Sequence, residues 1–156
     1  MPKQFPLHTV LEHRLRQEEQ RQQEVARAEA HLAKMQGLLR LAEAAHRAIL
    51  ADITGMQRAT QIDGHAISAA QQRIQRALIE IEQAQMAVTS SQATLTATRS
   101  AAIAASQGRL AIEKLRDAFH TTIQQEAAHT EAERLGEIGL MRWLARQPKG
   151  DSREHS

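Results

Sequence analysis

Residues 67–95 read ISAAQQRIQRALIEIEQAQMAVTSSQATL, and this stretch decides the fold. Ile67, Ile74, Ile81, Val88 and Leu95 recur every seven residues without a miss. Ala70, Ala77, Ala84, Ser91 and Thr98 keep the same period with small side chains. A strict seven-residue repeat draws a nearly straight stripe along a helix, and burying that stripe takes a partner helix. The small residues let such a partner come close.

Working outward, the first fifty residues supply it. Leu7, Arg14, Arg21, Ala28, Met35, Ala42, Ile49 and Met56 form one row of a second heptad pattern; Leu11, Glu18, Val25, Leu32, Leu39, His46 and Ile53 form the other. Arg14, Glu18 and Arg21 stand where a seam wants leucine. Long charged side chains can lay their stems on a seam and keep their heads wet. The three residues therefore read as a solvated helix end or as a contact surface for a partner. Leu38 and Leu41 fall off the seam and should be partly exposed.

The prolines, Pro2, Pro6 and Pro148, all sit at the ends, so nothing between Leu7 and Gln147 breaks a helix. Aromatic residues make up only 2%, and the apolar 42% leans on alanine, a composition suited to long helices rather than a globular core. Pro6 suits a first helical turn. Gly55, after Thr54, reads as a left-handed cap. Asp63 reads as the N-cap of the second helix, with Ile62 and Ile67 as a hydrophobic staple. The expected fold is all-α: a long antiparallel two-helix coiled coil, or helical hairpin, with an overhanging C-terminal helix. It forms a single domain over 1–156, with helix one about 6–54, a loop about 55–63, helix two about 64–146 and a disordered tail over 148–156. Its paired part is expected to form a rod on the order of 70 Å long.

Gly108 reads as a slip of phase, after which the seam continues through Ile112, Leu115, Phe119 and Ile123. Folding at the loop sets Leu7 opposite Ile112 to Phe119, and helix two then overshoots helix one by about 25 to 35 residues. This overhang, Gln124 to Trp143, ends with Leu135, Ile138, Leu140, Met141 and Trp143, for which the chain holds no further surface. A binding partner is the expected cover.

Other function classes find little support. Cysteine is absent, so disulfides and thiolate chemistry are excluded. The start lacks an apolar signal region, and no apolar run approaches the ~20 residues that cross a bilayer. The net charge of +2 does not call for nucleic acid, and aromatic platforms for bases are lacking. The scattered glycines form no phosphate loop, and the eight histidines show no metal-ligand spacing. A thin rod offers no water-excluding pocket. The expectation is a cytoplasmic non-enzyme with no cofactor, no metal and no small-molecule substrate.

Both ends resemble the FliJ family, the coiled-coil proteins of the bacterial flagellar type III export apparatus. At the N-terminus the resemblance lies in Phe5-Pro6-Leu7-His8-Thr9-Val10-Leu11-Glu12-His13-Arg14, followed by Glu18-Glu19. At the C-terminus it lies in Glu113-Lys114-Leu115-Arg116 and in Glu133-Arg134-Leu135-Gly136-Glu137-Ile138-Gly139-Leu140, where Gly136 replaces the family's acidic residue. The resemblance implies a stalk like the central subunit of rotary ATPases. Such a stalk docks its terminal end in the hexameric export ATPase, touches the export-gate membrane protein and escorts substrate chaperones. ATPase binding would then use Phe5, Leu7, Leu11, Arg14, Glu18, Arg21, Leu135, Glu137, Ile138, Met141 and Trp143. Gate binding would use Leu38, Leu41, Ala45 and Ile49. The free protein would be a monomer, held at the inner face of the cell membrane through the apparatus. The same plan fits the injectisome stalk of virulence-type secretion. Two other readings are a self-associating coiled-coil scaffold and a peripheral helix whose Met141-Arg142-Trp143 end lies on lipid.

Overall fold

The computed structural model describes residues 3–58 and 63–147. Two α-helices account for nearly all of them: α1, His8–Gln57, and α2, Gly64–Arg146. They pair as an antiparallel helical hairpin. Contacts divide the chain into two units, one of Met1–Glu12 with Leu110–Ser156 and the other of His13–Arg109. Among the described residues no helix is long and apolar enough to cross a membrane.

The helix ends follow from local chemistry. Phe5 O accepts the His8 N–H at 3.1 Å, closing a turn with Pro6 in its second position, where a fixed φ is favourable. Regular helix therefore begins at His8 rather than at Pro6. At the far end α1 runs to Gln57, three residues past the expected stop. Gly55 lies inside the helix and has no left-handed backbone. Thr54 bonds its hydroxyl back to Leu50 O at 2.9 Å, and the helix closes through Arg58 N–H on Gly55 O at 3.3 Å. That i→i+3 bond tightens the last turn, and the glycine, lying within the helix, does not cap it. Asp63 caps α2, its Oδ1 accepting the His65 N–H at 3.2 Å. The staple through Ile62 and the tail over 148–156 lie outside the described residues.

In the unit His13–Arg109 the small row lies deepest. Ala77 is 4% exposed and Ser91 4%, with Ala70 and Leu95 also buried, whereas Ile74, Ile81 and Val88 are half-buried and Ile67 is exposed. Small side chains bring the backbones close, and the larger isoleucines then cover the flanks of the contact. Ser91 is tolerated there because its hydroxyl donates to Ala87 O at 2.7 Å. Thr89, Thr94, Thr96 and Thr98 satisfy themselves in the same way, which lets a weak helix-forming stretch remain helical. Exposed ion pairs Arg73–Asp52 (3.4 Å) and Arg99–Glu29 (3.2 Å) flank the seam and suit its register, though each adds little stability.

The expected slip at Gly108 does not occur. Beyond Leu95 the seven-residue row continues through Ala102, Arg109, Arg116 and Ile123, and the small row through Ala105, Ile112 and Phe119; all seven are half-buried. Leu115 is 51% exposed and lies outside the seam. Two arginines standing at seam positions made an unbroken repeat look shifted. In the unit that holds the termini, the buried residues are Phe5 and Leu11, and Phe5 packs on Phe119 with ring centroids 5.6 Å apart.

Candidate functional site

The polar seam residues come first, because the unit His13–Arg109 uses them internally. Arg109 Nε donates to Glu18 Oε2, and Ser106 Oγ donates to Glu18 Oε1 at 2.9 Å. Both charged side chains are largely covered, 22% exposed for Arg109 and 12% for Glu18. The Arg109 hydrogen bond holds the Glu18 carboxyl below the usual glutamate range. Burial pushes the other way, and the Ser106 hydrogen bond and the Arg109 charge add to the lowering. Arg14 lays its guanidinium over Gly108, where a Cβ would stand 3.3 Å from Nη1. Arg21 pairs with Glu24 on its own helix at 3.1 Å. The Glu18 charge in the α1 seam is thus answered by Arg109 of α2, at a position that apolar counting passes over.

Of the other expected contact residues, Phe5 and Leu11 are buried in the terminal unit, and Leu7 is 36% exposed. Leu38, Leu41 and Ala45 are exposed, Leu41 at 67%, while Ile49 is half-buried in the α1 seam. Every residue from Gln124 to Gln147 is exposed, including Leu135, Glu137, Ile138, Met141 and Trp143. Leu144, 57% exposed, belongs with them. At ~100° per residue, Leu135, Ile138, Leu140, Met141, Trp143 and Leu144 spread around the whole circumference, with no gap above about 80°. Apolar side chains on every side are the pattern of a buried helix rather than of a solvated one.

Sequence reasoning missed Arg109, Ser106 and the second aromatic, Phe119, as partners of Glu18 and Phe5. The signal was present: Arg109 and Arg116 lie fourteen and twenty-one residues past Leu95, on the same row. Among the described residues no group of His, Asp or Glu has the arrangement to hold a metal ion.

Two long helices paired along a heptad seam, with a helix end left uncovered, define a coiled-coil hairpin of adaptor type. The family model described as Flagellar FliJ protein matches residues 3–148, and the chain belongs to that family. Membership makes it a component of the flagellar export apparatus, from a family that is structural and adaptor in kind rather than enzymatic. No curated protein and no solved structure matches the chain.

Proposed function

We propose that the protein is a cytoplasmic stalk and adaptor of the flagellar export machinery. It binds the hexameric export ATPase through its terminal end, couples that ring to the export-gate membrane protein and escorts substrate chaperones. The observation that carries this reading is the exposed end of α2, where the apolar side chains between Leu135 and Leu144 are set on all sides of the helix. A ring that closes around a helix buries every side of it, whereas a lipid surface or a second copy in a simple coiled coil covers one face. The match to a flagellar family favours the flagellar apparatus over the injectisome. Arg14, Glu18 and Arg21 are engaged within the hairpin, so the ATPase contact rests chiefly on Leu135, Ile138, Met141 and Trp143. Leu38, Leu41 and Ala45 are the exposed residues available for the gate.

The test is oligomerisation of the export ATPase, followed by sedimentation with and without the protein. The full chain should raise the hexamer fraction, and a chain lacking residues 124–147 should not. Equal stimulation by both would remove the helix end from the contact. Sedimentation of the protein alone should give a monomer at all concentrations, and flotation with anionic liposomes should recover none of it.

A further inference from the structure

The two seam arginines of α2 have different surroundings. Arg109 meets the largely covered Glu18 carboxylate, whose other oxygen accepts the Ser106 hydroxyl. Arg116, one heptad on and 38% exposed, meets the carboxylate of its chain neighbour Asp117, at 3.7 Å and 73% exposed. The residues that line a cleft with Arg116 are basic or neutral. Lys3, Gln4, Phe5, His8 and His120 line one cleft with it, about 230 Å³ in volume. Glu12, the carboxylate that bonds His8 at 3.1 Å, is more than half exposed and stands outside that lining. The polar side chains of the cleft are hydrogen-bond donors, and no acid is among them. Phe5 in its lining packs on Phe119 with ring centroids 5.6 Å apart, and the His120 ring meets Phe119 edge-on at 5.7 Å.

An arginine at a seam position loses the packing a leucine would give there, and Arg109 recovers it through Glu18. Arg116 has instead the exposed Asp117 carboxylate at 3.7 Å, beyond good hydrogen-bond distance. We propose that the cleft over Phe5 is a carboxylate-binding site for an acidic peptide segment of a protein partner, with Arg116 as the planar donor and Lys3, His8 and His120 around it. The planar guanidinium matches a carboxylate through two parallel hydrogen bonds. Half-exposed Leu7, Val10 and Leu115 in the same unit suit the apolar side chains of such a segment. The inference rests on the stalk reading and names what the partner presents there.

The experiment is an NMR titration of the labelled full-length protein with hexaglutamate, following the rings of Phe5, Phe119 and His120. A saturable shift is expected. Arg116→Gln should weaken binding about tenfold, the scale of one charge-assisted bidentate contact, while Arg73→Gln leaves it unchanged. Lys3→Gln and His120→Gln, at exposed positions, should each weaken it about threefold with helicity intact. No saturable shift would overturn the proposal. So would inorganic phosphate binding as tightly as the peptide with the same dependence on Arg116, since the site would then be one for free anions. If Arg116→Gln stimulates the ATPase as the native chain does while deletion of 124–147 abolishes stimulation, the cleft inference falls and the stalk reading stands. If the peptide binds and no variant, nor the native chain, affects the ATPase, the stalk reading falls and the cleft stands.

Discussion

Helix α2 contains two regions with the same backbone and different demands on their side chains. From Ala70 to Ile123 each residue on the two seam rows is buried or half-buried; from Gln124 to Gln147 every residue is exposed. The first region meets α1 and carries a narrow stripe, small where the helices touch. The second is not covered by α1; it begins polar and, from Leu135 to Leu144, carries apolar side chains on all sides. A stripe records a partner inside the chain, and an all-round apolar surface, within the stalk reading, one outside it. Substitutions should therefore unfold the first region and leave the second folded but inactive.

The widest contrast is expected from aspartate placed in each. Ile81→Asp puts a charge in place of a half-buried apolar side chain on the seam, a loss on the order of 3 kcal/mol or more that a two-helix pair does not survive. Met141→Asp, at a residue 69% exposed, should leave helicity and Tm unchanged while abolishing ATPase stimulation. Circular dichroism across a thermal ramp reads both. Next comes close approach: Ala77→Leu inserts bulk at a position 4% exposed and should cost about 1–3 kcal/mol. Leu41→Ala, on the exposed face of α1, should fall within about 0.5 kcal/mol of the native chain.

These sites also mark what was legible in the sequence. The hairpin was readable because Ile67, Ile74, Ile81, Val88 and Leu95 keep an apolar row that only a seam explains. The seam beyond Gly108 was not, because Arg109 and Arg116 break the apolar pattern while keeping the period. An apolar count follows chemistry, whereas the helix follows geometry, and Leu115 drew the reading off the row. Gly55 misled in the same manner: glycine permits a left-handed cap but does not impose one. The uncovered end at Leu135 to Trp143 was legible as leftover apolar surface. Its all-round distribution follows from counting residues around the helix, and needed the helix to be continuous to Arg146.

A smaller effect tests how the seam accommodates charge. Glu18 has a carboxyl pKa lowered on folding, so its contribution is present above the unfolded value and is lost as pH falls through the lower folded one. Native protein should thus lose Tm as pH drops below about 4.3, the ordinary glutamate value. Glu18→Gln should have a lower Tm at neutral pH and a flatter acid limb, because the Arg109 contact no longer titrates. Equal acid limbs in the two proteins would show that the pair adds nothing measurable to the seam.

The smallest expected change lies in the uncovered helix, where propensity alone sets the order of the final turns. Gly136 and Gly139 have open space where a Cβ would stand, and neither takes a backbone that strains an L-residue. Alanine at each should favour helix by about 1 kcal/mol through lost backbone freedom in the unfolded chain. Since no tertiary contact is touched, the gain should appear as slower amide exchange between Leu135 and Leu144, with the Tm of the paired region unmoved. Within the stalk reading the same double variant should bind the ATPase more tightly, because less ordering remains to be done on entry. If exchange slows while affinity falls, the glycines serve the bound state by bending or close approach, and the helix end does not enter its partner as a continuous helix.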